Sequence, residues 1–159
     1  MVLVLLGTQN NSFHRLLEKI DELIEKKAIQ EKVVVQAGHT KYESENMQIF
    51  SLIPQEELEK YQEKADLIIT HGGVGSIVSS IKLGKKVIAI PRLHQYQEHV
   101  NDHQKQIVES FSKKGYIIGI NSVEELEEAI KESETFEPNE YKNNNQKMLN
   151  IIEDFIEKV

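Results

Sequence analysis

Leu67-Ile68-Ile69-Thr70-His71-Gly72-Gly73-Val74-Gly75-Ser76-Ile77 is the stretch from which the rest of the chain can be read. Leu67 to Ile69 is an apolar run of the kind that forms a buried parallel strand. Three glycines follow within four residues. From Ser76 the sequence resumes at helical spacing, with Ile77, Val78 and Ile81 on one face. A strand, a glycine-rich turn and a helix in that order put unpaired N–H groups and the positive end of a helix dipole at the carboxyl edge of a sheet. A diphosphate fits there, and glycine lets the backbone approach it without a Cβ in the way. The same residues also suit a plain tight turn between strand and helix. No Gly-Lys-Ser/Thr follows, so the pattern is not a P-loop, and it is not a clean Gly-x-Gly-x-x-Gly. Alone, the stretch specifies an anion at a helix start.

Outward from it, apolar runs and amphipathic segments alternate. Val2 to Leu6 reads as a first strand, closed by Gly7-Thr8-Gln9, and Asn11 or Ser12 is placed to cap a helix running to about Lys27. Val33 to Val35 and Met47 to Ile53 are further strands, and Pro54 suits the first turn of a short helix carrying Leu58 and Tyr61. Gly84 ends the helix after the glycine turn, and Val87 to Ile90 is a fifth strand closed by Pro91. A helix from about Val100 to Lys113, a strand over Tyr116 to Ile120 and a capping box at Ser122 to Glu125 follow. A last amphipathic helix occupies about 140–159. The alternation predicts one α/β domain over 1–159, Rossmann-like, with a mostly parallel sheet and helices on both faces. Ligands of such sheets bind beyond the carboxyl ends of the strands. Gly7 onward, His71 to Ser76, and Pro91 onward all fall at that edge.

The chain has 159 residues, enough for one domain with one core. Its net charge of −7 argues against nucleic acid as a partner and against direct binding to anionic lipid. No apolar run approaches the roughly 18 residues that would suggest a membrane span. The apolar start lacks a basic lead and a cleavage-like site, so it reads as a strand and not a signal peptide. Without cysteine there is no disulfide or thiolate chemistry, which is compatible with the cytoplasm.

The densest chemistry lies in Pro91-Arg92-Leu93-His94-Gln95-Tyr96-Gln97-Glu98-His99-Val100-Asn101-Asp102-His103-Gln104. His99 and His103, four apart, would share a helix face and invite a zinc reading. The glutamate of the zinc-protease helix is missing and no cysteine assists, so metal is the weaker reading. A capped helix start accounts for one or two of these residues. Amides, carboxylates and imidazoles crowded together suit a sugar, whose hydroxyls both donate and accept. The two loops together therefore suggest a diphosphate beside a sugar.

These residues carry a resemblance. His71-Gly72-Gly73-Val74-Gly75-Ser76, Gly84-Lys85-Lys86-Val87-Ile88-Ala89-Ile90-Pro91-Arg92 and Glu98-His99-Val100-Asn101-Asp102-His103-Gln104, with Gly7-Thr8-Gln9 and Phe13-His14-Arg15-Leu16, look like the bacterial capsule and exopolysaccharide glycosyltransferases of the two-subunit type. More distantly the chain resembles the cytosolic subunit of the eukaryotic UDP-GlcNAc transferase and the donor half of the lipid II-forming transferase. The resemblance implies the C-terminal, nucleotide-sugar half of a GT-B enzyme. The acceptor half would be a separate membrane-associated chain that draws this one to the inner face of the plasma membrane. Among residues, it implies that the backbone near Ile53 faces the uracil and that Gly73, Gly75 and Ser76 hold the diphosphate, with Gly7 and Thr8 across the cleft and Gly72 a further substrate-binding residue. Asn101, Asp102, His103 and Gln104 would contact the sugar, with Glu98 and His99 orienting their loop. One position departs: where relatives hold the ribose hydroxyls with a glutamate, this chain has Ser79, which is no bidentate acceptor.

The implied reaction is displacement at the anomeric carbon of a UDP-sugar by a hydroxyl of a lipid-linked saccharide, with helix N–H groups stabilising departing UDP. His71 and His103 are the base candidates within this chain. No metal or other cofactor is implied. The expected donor is UDP-galactose, by resemblance to the capsule galactosyltransferases, and Arg92 is the basic residue near the sugar loop that a glucuronate reader would use. A different class of reading is a noncatalytic nucleotide-binding module that regulates or scaffolds a polysaccharide synthase. A flavodoxin-like or response-like domain lacks its clustered acids after the first strand.

Overall fold

The structure is a computed structural model and describes residues 1–7, 12–93 and 103–141. Within these, six strands, β1 Val2–Leu5, β2 Val33–Gln36, β3 Gln48–Phe50, β4 Leu67–His71, β5 Val87–Ile90 and β6 Ile118–Gly119, form one sheet in the order β3-β2-β1-β4-β5-β6. Every pairing is parallel. The strands alternate with helices α1 His14–Glu25, α2 Gln55–Lys64, α3 Val74–Lys82, α4 His103–Lys113 and α5 Leu126–Ser133.

Strands β1, β2, β4 and β5 are buried along their whole length, as apolar runs without alternation require when helices cover both faces. Val2, Val4 and Leu6 pack with Phe13, Leu16, Leu17 and Ile20 of the α1 side and with Leu126 and Ala129 of α5. Leu3 and Leu5 turn to the other face, against Ile77 and Ile81 of α3 and Ile107, Val108 and Phe111 of α4. The Rossmann-like expectation is met. The chain runs outward from β1 in one direction through β2 and β3, then returns to β4 and runs outward in the other. The loops after β1 and β4 therefore part company, and a crevice opens at their carboxyl ends.

Local expectations fare unevenly. The capping box forms: Glu125 Oε2 accepts from the backbone N–H of Ser122 at 2.9 Å, and Ser122 Oγ accepts from that of Glu124 at 3.2 Å. Gly84 closes α3 with φ +72°, a conformation glycine adopts without strain. Ser12 does not cap α1. Phe13 occupies that position, and its N–H is taken by Thr40 Oγ1 from the loop after β2 at 3.0 Å. Helix α3 begins at Val74, two residues earlier than its apolar spacing indicates, so Gly75 and Ser76 lie inside its first turn. Strands β3 and β6 are shorter than predicted. The expected terminal helix lies outside the described residues beyond Tyr141, whose ring packs edge-on against Tyr116 at 5.6 Å.

Candidate functional site

A cleft of about 450 Å³ opens at the crevice between the loops after β1 and β4, within the range of small-molecule sites. One end is lined by Gly7, His71, Gly73, Gly75 and Ser76, the other by Leu52, Ile53, Gln55 and Leu58, with Gln36, Gln62 and Ser79 among the remaining lining residues. One end thus presents the first turn of α3, with its unpaired N–H groups and dipole, and the other an apolar wall.

The glycines have distinct structural reasons. A Cβ on Gly7 would stand 2.5 Å from His71 Nε2, and one on Gly73 would stand 2.3 Å from His71 Cε1. The imidazole is thus wedged between two bare backbones. A Cβ on Gly72 would collide with Gln104 at 2.8 Å, so that glycine seats the strand end against α4. Gly75 alone of the four meets nothing within 4 Å. The freedom of approach that a ligand needs is left at Gly75.

His71 is 5% exposed, and a chain of hydrogen bonds fixes its proton. Gln104 Oε1 accepts from two backbone N–H groups, those of Gly72 at 3.2 Å and Arg92 at 3.0 Å. Neither donor can be anything else, so the amide orientation is set, and Gln104 Nε2 must donate to His71 Nδ1 at 3.2 Å. In the neutral ring the proton then sits on Nε2, which faces Ser76 Oγ at 3.4 Å on the cleft side. His71 presents a donor there.

Seven of the expected residues line the cleft together: Gly7, Ile53, His71, Gly73, Gly75, Ser76 and Ser79. Gly72 lies behind it, held by Gln104. Gln104, expected to contact the sugar, is buried at 3% exposure with its oxygen filled by backbone and its nitrogen bonded to His71. One N–H of that nitrogen remains. His103 is half-buried as the first residue of α4 and is absent from the described lining. Thr8, Glu98, His99, Asn101 and Asp102 lie outside the described residues.

Arg92 is 1% exposed and donates from Nη2 to the Leu6 carbonyl, with its guanidinium 5.6 Å from the Phe13 ring centre. Arg15 makes the reciprocal tie, to the Pro91 carbonyl at 3.2 Å. Arg92 thus joins the ends of β1 and β5 under the cleft, an arrangement that takes up the side chain a glucuronate reader would need.

Residue-level reading missed Gln36, Leu52, Gln55, Leu58 and Gln62 as lining. Gln62 carried a signal. It stands four residues after Leu58 and three before Ala65, on the inward stripe of α2, where a polar side chain needs a partner.

Comparison with known proteins follows this geometry. A model of the glycosyltransferase family 28 C-terminal domain matches residues 1–159. The UDP-N-acetylglucosamine transferase subunit ALG13 of Candida albicans is 28% identical over 109 residues, 69% of this chain and 36% of that protein. That of Candida glabrata is 39% identical over 56 residues, 35% of this chain and 26% of that protein. The chain thus spans about a third or less of the length of these curated relatives. The solution structure of ALG13 superposes with a TM-score of 0.59 at 18% identity, covering 94% of this chain and 92% of that one. MurG of Acinetobacter baumannii gives 0.54 at 17% identity, covering 95% of this chain and 49% of that one. At these identities the structural likeness is one of fold, and it is the fold of the C-terminal half of a GT-B glycosyltransferase. With a parallel sheet in this order, a helix start bared at Gly75 and a family match along its whole length, the chain belongs to the glycosyltransferase family 28 C-terminal domains.

Proposed function

We propose that this chain is the donor-binding part of a UDP-sugar-dependent hexosyltransferase that works with a separate, membrane-associated acceptor-binding subunit. The observation that carries the reading is the bipolar cleft. The opening turn of α3, with Gly75 unobstructed and His71 Nε2 beside Ser76, suits a diphosphate, and the apolar wall of Leu52, Ile53 and Leu58 suits a planar base. The acceptor is a lipid-linked saccharide of capsule or exopolysaccharide synthesis, at the cytoplasmic face of the plasma membrane, as the sequence resemblance implies. Asn101, Asp102 and the last N–H of Gln104 are assigned to the sugar, with Glu98 and His99 shaping their loop and Thr8 facing the diphosphate.

In the reaction, an acceptor hydroxyl displaces UDP from the anomeric carbon, and charge develops on the leaving diphosphate. Fixed donors at that point lower the barrier. The backbone N–H groups of the first α3 turn and His71 Nε2–H fill that role. A ring whose Nδ1 already accepts from Gln104 and whose Nε2 carries the proton is a donor, so His71 is assigned to the leaving group and the base to the partner chain. His103 stays a candidate for the sugar side. Galactose is the donor sugar that the capsule resemblance favours. The relatives named as N-acetylglucosamine transferase subunits favour UDP-N-acetylglucosamine as the second reading.

The test is a thermal-shift titration with UDP, UDP-galactose, UDP-N-acetylglucosamine and UDP-glucuronate, on the wild type and Gly75→Asp. Ligand at 100-fold over Kd adds about 2.7 kcal/mol, so Tm should rise by about 5–10 °C in a domain of this size. An Asp at position 75 has room and suits a helix start, so the variant should fold normally and lose the response. A sugar nucleotide that outperforms UDP names the donor. Equal responses to UDP and every UDP-sugar favour the noncatalytic nucleotide-binding module. No response from the chain, alone or co-expressed with a candidate membrane subunit, sinks the reading.

A further inference from the structure

Two backbone N–H groups converge on one side-chain oxygen, Gln104 Oε1: those of Gly72 at 3.2 Å and Arg92 at 3.0 Å. For that task alone a glutamate is the better residue, since a carboxylate accepts N–H groups more strongly than an amide does. Glutamine and glutamate differ at the other arm. There Gln104 offers Nε2–H to His71 Nδ1 at 3.2 Å, where a glutamate would offer a second acceptor. The histidine, and not the backbone, thus explains the amide. Ser76 Oγ lies 3.4 Å from His71 Nε2, and the amide stands on the other side of the ring. A hydroxyl, an imidazole and a carboxylate in that layout make the imidazole a base, because the acid holds the proton on Nδ1 and leaves the lone pair on Nε2. An amide in the place of the acid reverses the layout.

We propose that Gln104 is a positioning residue that locks His71 in one protonation state, a neutral ring with its hydrogen toward the cleft, and so keeps donor binding independent of pH where a free histidine titrates. The inference rests on the UDP-sugar reading above and adds how that site is held ready. A second proton can enter the ring only at Nδ1, where it meets Gln104 Nε2–H. Turning the amide over would give Nδ1–H an acceptor. It would also aim an NH2 group at the N–H groups of Gly72 and Arg92, donors against donors. Both arms of the side chain therefore oppose the imidazolium. Burial acts in the same direction, with His71 5% and Gln104 3% exposed. Around the ring, β1 brings Gly7 and α3 brings Ser76. The charged and titratable groups brought by the other elements are Arg92 after β5, its guanidinium turned to the Leu6 carbonyl, and His103, next to Gln104 on α4. A cation there adds to the bias against a second charge.

The experiment follows the histidine ring nitrogens of the whole chain by nitrogen-15 NMR from about pH 5 to about pH 8, in the wild type and Gln104→Glu, with His71→Asn to assign the signal. Calorimetry with UDP-galactose and UDP-N-acetylglucosamine runs beside it, since the diphosphate of a sugar nucleotide takes up no proton in that range. In the wild type, His71 Nε2 should stay protonated and Nδ1 bare throughout, well past the ordinary histidine value of about 6.5. Affinity for the better-bound sugar nucleotide should change by less than about twofold. Gln104→Glu keeps an acceptor for both backbone N–H groups, so it should fold. Its His71 should carry the proton on Nδ1 and gain a second one as pH falls. Its affinity should drop by about tenfold or more on going from the acid to the alkaline end, as a bare Nε2 comes to face the diphosphate. If the variant does not fold, the wild-type titration decides alone. A wild-type His71 that titrates near its ordinary value, or that holds its hydrogen on Nδ1, overturns the lock and leaves the UDP-sugar reading standing. So does a ring spectrum that the glutamate leaves unchanged, the result expected of a glutamine that only ties strand ends. Failure of both sugar nucleotides to bind overturns the UDP-sugar reading, and the ring spectrum still decides the protonation state.

Discussion

A methyl group on Gly73 would stand 2.3 Å from His71 Cε1, while the backbone there, at φ −78°, is open to any residue. The nearest obstacle to alanine at 73 is therefore the imidazole. Gly73→Ala should displace His71 and weaken UDP binding, and the same change in a His71→Ala chain should cost little further. Gly7 differs, because its φ of +75° strains any side chain as well. Removing His71 should relieve only part of the cost of Gly7→Ala, leaving a residue of about 1 kcal/mol. Denaturant melts of the two double-mutant cycles check this, and equal rescue at both positions would contradict it. The sequence makes the glycine cluster legible, but its natural reading is room for a ligand. At Gly7 and Gly73 the room is taken by the ring of His71, and the Gly7 contact depends on how β1 and β4 lie side by side, which leaves no mark in either segment.

The carboxylate of Asp21 gathers three side chains of the loop that follows β2 onto helix α1. Asp21 accepts from Tyr42 Oη and Ser44 Oγ, each at 2.5 Å, and from Asn46 Nδ2 at 3.2 Å. Partial burial pushes its pKa up, but the hydrogen bonds from Ser44, Tyr42 and Asn46 together outweigh this and hold it below the ordinary 3.8. A lowered folded-state pKa contributes stability above the unfolded value, and that contribution is lost as pH falls through the folded one. Asp21→Asn should thus destabilise the fold at pH 7 by about 1 kcal/mol after solvent screening, and the gap to wild type should shrink below pH 4. Tyr42 works in the other direction. Burial, then the bond to Asp21, pushes its phenol up to about 12. Its contribution is complete below the unfolded value of 10 and fades as pH rises through 12. Melts from pH 3 to 11 test both, and a gap between wild type and Asp21→Asn that does not change with pH would exclude the carboxylate. The strands and helices themselves were legible, since long apolar runs and stripes at helical spacing carry strong signals. The start of α3 was not, because Val74-Gly75-Ser76 offers no stripe. At the α1 start Phe13, and not Ser12, takes the capping position, with its own N–H bound to Thr40 Oγ1, a partner far along the chain that the local sequence does not show.

At the scale of the molecule, the order β3-β2-β1-β4-β5-β6 decides where chemistry can occur, since only beside β1 and β4 do the connections diverge. That much followed from alternating strands and helices in the sequence. Which residues complete the cleft did not, because Gln62 reaches it from α2 through hydroxyls on α3, a meeting made by packing. The sheet itself ends in an unusual way. The last paired residues of β4 and β5 are His71 and Ile90, and just beyond them the N–H groups of Gly72 and Arg92 both point at one atom, Gln104 Oε1. A side chain of α4 thus supplies the next rung of the ladder. Hydrogen exchange should report this directly: the amides of Gly72 and Arg92 lie past the strand ends, yet should exchange as slowly as the strand core. In Gln104→Leu both should exchange at loop rates, with a stability loss of about 2–4 kcal/mol for two stranded donors. The two protons then act as a clock on the cleft floor, timing how often the histidine that lines the cleft is let go.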